Sequence, residues 1–514
     1  MKQYSLLLSL ILIFIGTSSL QAQEVVPENF ETWIEEGMEK WGIPGMAIAI
    51  VKDGEIAYTQ GFGVRKLGEE GLVDEHTQFG IASVSKHITA MSVGLMVAQD
   101  LIDWNDPVRE ILPWFELIDP YATANVTIHD LLTHQVGVGR ILGNRLQFMT
   151  ERSRYELLHR MRHHDFEEPF RSQYVYSNVM YTLAGEIAAA VSGRDWDDLI
   201  ATRLFERMNM SRTNSSIHDL DEANAAWPHQ YINGVVVPIP RRSWDNAAPA
   251  GGVNSTAADM AKWMVMQLNG GAYEGRQILA ENVLTDIQTP KVSLATSDVN
   301  APQVSYGYGY RITDFRGFRV ISHGGATDGM NTNYMLMPQH GFGIIIMTNT
   351  FNNFMSAVGY QVIDHMLGTT DRDWAELYFD SYNRQYESVK SQREAFEATR
   401  ISGTSPTHSL QSYVGRYQND LYDTARITLD DGKLMLTIFD DENLTAELEH
   451  WHHNTFRVNW NNPAQREEFL QFHMDYEGSI DRLEIRYTLR PMMLQVGAYP
   501  TNYYRDVVYE RAGY

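Results

Sequence analysis

The stretch Ile81–Ala90, IASVSKHITA, sets a serine three residues ahead of a lysine, and it is the only S-x-x-K in the chain. Such a pair is either a helix cap followed by a surface lysine or a nucleophile with its base. A serine hydroxyl attacks poorly at neutral pH unless a base is within reach. A helix beginning at Ser83 brings Lys86 onto the same face one turn on and turns Val84, Ile88, Met91 and Leu95 to the core. Its N-terminus would favour a developing negative charge at Ser83. The long apolar run after Lys86 argues for a buried helix, and desolvation lowers a lysine's pKa until it can accept a proton.

Outward from that stretch, residues 45–64, GMAIAIVKDGEIAYTQGFGV, alternate apolar residues around Asp53-Gly54, a hairpin signature. Downstream come helical patterns, among them NVMYTLAGEIAAAVSG, which stops at Gly193. Residues 318–350 then offer three short strands with turn residues between them. Strands at both ends and helices between them predict an α/β fold. Its antiparallel sheet takes its first and last strands from distant sequence and is flanked by helices and a helical subdomain. Residues 373–400 read as an amphipathic helix, with Trp374, Tyr378, Tyr382 and Tyr386 spaced by four. The stretch SGTSPTHS breaks it near residue 407, and ARITLDDGKLMLTIF opens a run of strand–turn–strand patterns. The expected division is a leader at 1–22, a catalytic domain at 23–370, a helical linker at 371–407 and an antiparallel β domain, sheet or barrel, at 408–514.

The 514 residues carry 41 basic and 65 acidic side chains, a net charge of −24. That excludes a nucleic-acid partner, which needs a basic stripe. The first residues, MKQYSLLLSLILIFIGTSSLQAQ, read as a secretory signal cut after Ala22, with a retained membrane anchor as the alternative. A periplasmic or secreted location follows, with no later segment long and apolar enough to span a membrane. There are no cysteines, so disulfides, thiol chemistry and Cys-ligated metals are excluded.

The Ser83 region resembles the nucleophile segment of the penicillin-recognising serine hydrolases. The nearest branch holds class C β-lactamases, D-Ala-D-Ala carboxypeptidases, D-aminopeptidases and related esterases. That family carries a Y-x-N on a helical-domain loop and a [KH]-[TSG]-G on a strand edging the site. Y-x-N occurs three times here. Tyr231-Ile232-Asn233 runs into Gly234 and reads as a hairpin turn, and Tyr417-Gln418-Asn419 falls in the β domain. Tyr176-Ser177-Asn178 precedes a helix in the predicted helical body and is the one that matches. His323-Gly324-Gly325 is the third element, although paired glycines also serve tight turns. LLTHQVGV (131–138), PAGGVNSTAADMAKW (249–263) and YGYGYRI (306–312) are similar to family segments too, and the region after 408 is similar to a lipocalin-like domain appended to some members.

The resemblance implies a secreted hydrolase of small amides, peptides or esters, working through an acyl-enzyme on Ser83. Lys86 and Tyr176 would share the removal of the serine proton. Asn178 would bind substrate, and the backbone N–H groups of Ser83 and Ala326 would hold the oxyanion beside His323, Gly324 and Gly325. No cofactor or metal is implied. The partner would be a small molecule or short peptide, and a homo-oligomer is compatible with the sequence. Three features depart from the family pattern: His323 in place of lysine, Gly324 without a hydroxyl, and Gly80 and Ala82 before the nucleophile. The first two weaken carboxylate binding and move the expectation from β-lactamase towards peptidase or esterase. A non-catalytic wall-peptide or penicillin-binding sensor is the rival. Elsewhere, His450, His452 and His453 read as a polar strand end, His163-His164 as solvated surface, and GFGVRKLG lacks dinucleotide-fingerprint spacing.

Overall fold

The computed structural model describes residues 25–139, 146–147, 152–232, 234–296, 303–369, 372–461, 468–487 and 507–512. The expected leader at 1–22 lies outside them. The described chain forms two compact units. The first takes the residues up to Pro113, Asn125–Val136 and Met180–Asp380; the second takes Trp114–Ala124, Gly137–Val179 and the chain from Ser381.

The first unit is organised by an eight-stranded antiparallel sheet. Its strands are β1 (Gly45–Lys52), β2 (Glu55–Gly63), β3 (Val292–Leu294), β4 (Val304–Tyr306), β5 (Arg311–Phe315), β6 (Phe318–Thr327), β7 (Met330–Met337) and β8 (Phe342–Thr348). Their order is β2-β1-β8-β7-β6-β5-β4-β3, so the first strand pairs with the last, Ile48 opposite Ile346. The β1–β2 hairpin turns on Asp53 and Gly54 with φ of 52° and 82°, the two left-handed residues of a type I′ turn. β1 is buried on both faces, which is why it reads as a nearly unbroken apolar run. Met46, Ile48 and Ile50 join the core made with helices α1 (Phe30–Trp41) and α5 (Phe354–Leu367). The alternate residues, small Ala47 and Ala49, leave room on the other face for α4 (Ala257–Leu268), whose Met264 packs on Gly343.

Helix α2 (Ser85–Val97) is buried along its whole length up to Met96. It begins two residues later than a helix starting at Ser83, because Ala82–Val84 form a 3₁₀ turn that Ala82 enters with φ 51°.

The second unit holds a closed barrel of β9 (Gly415–Asn419), β10 (Asp423–Asp430), β11 (Lys433–Ile438), β12 (Thr445–His452), β13 (Thr455–Trp460), β14 (Glu468–Met474), β15 (Ile480–Tyr487) and β16 (Val507–Arg511). Neighbours in sequence are neighbours in space, and Tyr417 opposite Arg511 closes the ring. Alternating inward residues, with Tyr413, Tyr417, Phe456 and Phe472 in mutual ring contact, fill its interior. His450 bonds the His453 carbonyl and His452 accepts the Ile401 N–H. Helix α6 runs Trp374–Glu397. Trp374 packs on Tyr360 and Phe315 in the first unit, and Phe396 packs on Trp451 and Phe469 in the second.

His164 departs from its reading as solvated surface. It follows a 3₁₀ turn that carries it inward, and it is fully buried, with Nδ1 donating to the Asp165 carbonyl at 2.5 Å.

Candidate active site

Ser83 occupies the middle of the 3₁₀ turn, and Lys86 Nζ lies 3.3 Å from its Oγ. Lys86 is completely buried, and its Nζ donates to the Ala250 carbonyl at 2.7 Å above the ring of Tyr181. The Ala250 bond fixes the amine about its Cε–Nζ axis.

Sequence reasoning singled out 249–263 only by likeness; the structure gives its first residues a job. Thr89 Oγ1 donates to the Pro249 carbonyl at 2.6 Å, and Ser85 Oγ accepts the Val253 N–H at 3.1 Å. Ile81 N–H donates to the Val253 carbonyl, and Phe79–Gly80 pair with Asn254–Ser255. Ser85 and Thr89, two polar residues of a helix with no exposed face, are thereby satisfied, and the Ser83 turn is held from both ends. The left-handed backbone of Ala82 costs about 1–2 kcal/mol, and this bracing holds it there. A glycine there would avoid that cost.

His323, Gly324 and Gly325 lie inside β6, not after it, and neither glycine has positive φ. The glycines therefore serve close approach and not a turn. A Cβ on Gly325 would fall 2.3 Å from the Ile81 carbonyl and 3.1 Å from Ala82 Cβ, whereas one on exposed Gly324 would meet nothing nearer than Thr332 O at 3.8 Å. β6 thus runs against the Ser83 turn at Gly325, with Ala326 the next residue along.

His323 Nδ1 donates to the Gly324 carbonyl at 2.6 Å, and Nε2 then accepts the Tyr306 hydroxyl at 3.1 Å. Both ring nitrogens are thereby engaged within the protein. Behind it, His87 stacks on Tyr310 at 4.0 Å and meets His323 and Tyr334 edge-on. Among the described residues neither ring nitrogen of His87 has a hydrogen-bond partner. Burial, then the nearby His323 and Lys86, hold its pKa well below the ordinary value. Nothing in the motif pattern marked His87 beyond its place next to Lys86.

Tyr176 and Asn178 belong to the second unit. Asn178 is the first residue of helix α3 (Asn178–Ser192), and half-buried Tyr176 stands 6.5 Å from Tyr174, ring to ring. The other Y-x-N triplets serve strands: Tyr231 in a hairpin turning at Gly234, and Tyr417 in β9.

Beyond Gly80, Gly251 and Gly252 a cleft of about 50 Å³ opens, walled by Ile217, Leu220, Trp244 and Met330. On its wall Arg242 donates through Nε and Nη2 to the two carboxylate oxygens of Asp328, each at 2.9 Å, so the pair carries no net charge.

The Beta-lactamase family matches residues 30–365, and a domain of unknown function, DUF3471, matches residues 399–496. An unguisins hydrolase of Aspergillus campestris is 26% identical over 430 residues, covering 80% of this chain and 79% of that protein. Protein flp of Staphylococcus aureus (strain MRSA252) is 22% identical over 375 residues, 69% of this chain and 70% of that protein. The octameric penicillin-binding protein homologue from Pyrococcus abyssi superposes with a TM-score of 0.60 at 20% identity, covering 89% of this chain and 97% of that one.

Proposed function

From the premise that the chain belongs to the beta-lactamase family of serine hydrolases, we propose that it cleaves small amides, short peptides or esters through an acyl-enzyme on Ser83. The observation that carries this reading is the buried Lys86 amine 3.3 Å from Ser83 Oγ, anchored on the Ala250 carbonyl.

In this mechanism Ser83 Oγ attacks the substrate carbonyl while its proton passes to Lys86 Nζ and Tyr176 Oη, acting together. The oxyanion is held by the backbone N–H groups of Ser83 and Ala326, each worth about 3–4 kcal/mol in the transition state. Tyr176 returns the proton to the leaving group, Asn178 bonds a substrate amide or carbonyl, and water then releases the acyl group. The roles of Tyr176 and Asn178 rest on their motif positions.

Two features favour an uncharged substrate over a penicillin-like carboxylate. His323 spends its N–H on the Gly324 carbonyl, and the two arginines that line the cleft, Arg241 and Arg242, are paired with Glu222 and Asp328. The leader-like first 22 residues make export to the periplasm or the exterior part of the proposal; the exported product should begin at Gln23.

Mass spectrometry after incubation with p-nitrophenyl esters tests the reading. An acyl adduct on Ser83 and steady nitrophenol release are expected, and both should vanish in Ser83→Ala. Turnover that survives in Ser83→Ala rejects it. An intact chain that neither turns over nor labels on Ser83, across amide, ester and β-lactam probes, returns the choice to a non-catalytic binder.

A further inference from the structure

One cluster outside the catalytic constellation joins the barrel to the segment that carries Tyr176, all within the second unit. The loop between β9 and β10 is built stiffly. Asn419 Oδ1 accepts the N–H groups of Leu421 and Tyr422 at 2.9 and 2.8 Å, and its Nδ2 donates to the Val508 carbonyl on the last strand. Leu421 and Tyr422 are buried, which anchors the loop in the barrel. This is the Asn of the third Y-x-N triplet, and its work is to shape a loop. The loop ends on Asp423, held left-handed at φ 64°.

Asp423 Oδ2 accepts Arg152 Nη2 at 2.5 Å and Arg160 Nη2 at 2.9 Å. Arg160 Nη1 also donates to the carbonyls of Asp420 and Leu421 at 3.1 and 3.3 Å. The two arginines bracket a helix, Arg154–Arg160, capped at Ser153 by a reciprocal bond with Glu156. Its other face is pinned by buried Leu157, Leu158 and Met161. From it the chain runs through buried His164 and the Glu167 N–H bond to the Gly137 carbonyl, and then to Tyr174 and Tyr176.

We infer that the barrel is a positioning element for catalysis: Asp423, by bonding Arg152 and Arg160 to one carboxylate, holds the helix from which the Tyr176 loop is hung. The inference rests on the role proposed above for Tyr176. The physics is sharper than the loss of a surface ion pair, which alone is worth little. Without the carboxylate, two guanidiniums drawn to one point repel each other, and the helix between them loses its fixed end. A shift of about 1 Å in a general acid–base group is enough to cost up to 10²-fold in rate.

The test uses the full-length chain. Asp423→Ala is expected to leave the end-point stoichiometry of Ser83 labelling by a fluorophosphonate unchanged, and KM for a p-nitrophenyl ester within about twofold, while kcat per labelled site falls about tenfold. The double variant Arg152→Gln/Arg160→Gln should show the same loss, and the triple variant should lose no more than either. Normal kcat per labelled site in these variants, or fully additive losses, overturns the inference. If Asp423→Ala yields no labelled protein, the arginine pair carries the test; if that too fails to fold, Asp423 is structural only and the inference is wrong. These outcomes are separate from failure of the function itself, which would appear as turnover by Ser83→Ala or as an unsubstituted chain that neither turns over nor labels on Ser83.

Discussion

Gly325→Ala is the most direct probe of how the site is assembled. The added methyl would lie 2.3 Å from the Ile81 carbonyl oxygen, where ordinary contact begins near 3.4 Å, and 3.1 Å from Ala82 Cβ. The nearer clash is with backbone, which cannot rotate away, so β6 and the Ser83 turn must part by roughly 1 Å. Overpacking of this kind costs about 1–3 kcal/mol of stability. Displacing Ala326 N–H from an oxyanion at Ser83 by that distance should lower kcat/KM about 10²-fold, equivalent to about 2.7 kcal/mol of transition-state stabilisation. Gly324→Ala is the internal control: the same methyl one residue earlier meets nothing closer than 3.8 Å and should change kcat/KM by less than about threefold. Steady-state ester hydrolysis and thermal unfolding of the two variants are the assays. Equal losses in both, or a fully active Gly325→Ala, would refute the packing argument.

Lys86→Met should lower kcat by about 10²–10⁴-fold, with a shift in Tm of only a few degrees, since the orphaned Ala250 carbonyl and the relief of burying an amine oppose each other; substantial residual turnover would remove the lysine from the mechanism. Asp364, fully buried, accepts two bonds from Arg316 at 2.7 and 2.8 Å and one from Trp374 Nε1 at 2.8 Å. Asp364→Ala removes the carboxylate that joins Arg316 to Trp374 and should cost about 3 kcal/mol, read as a lower urea midpoint; an unchanged midpoint would count against it. His87 and His229 both have folded pKa values below the ordinary 6.5, each chiefly through burial. The unfolded chain therefore binds more protons below pH 6.5, so stability is full above that pH and falls as pH drops towards the folded values, by up to about 1.4 kcal/mol per pH unit for each group. Urea midpoints from pH 7.5 to 5 should show this slope, and His87→Phe should flatten it; a slope that Phe leaves unaltered would clear His87 of the role.

The features that local chemistry dictates were legible before the structure. Asp53-Gly54 between alternating strands admits one kind of hairpin, and the apolar run after Lys86 required a buried helix. The β domain announced itself by alternation, though only the pairing of Tyr417 with Arg511 closed it into a barrel. Motif order, Ser83 to Tyr176 to His323, carried the family. The paired glycines were ambiguous, because sequence does not distinguish a glycine needed for its φ from one needed for its missing side chain. His164 was misread because a polar stretch says nothing about which of its residues a turn carries inward.

Sequence by itself determined the chemistry on offer: a hydroxyl, an amine and a phenol in family order, no thiols, and a strongly acidic chain. Tertiary structure decided what holds the amine against the hydroxyl, namely the Ala250 carbonyl 164 residues away. It also decided which glycine admits β6 to the Ser83 turn and that Asp423 gathers two arginines. A side chain's type and periodicity are local properties, and they survive in the sequence. Which backbone carbonyl it meets depends on how distant segments pack, and no local pattern encodes that.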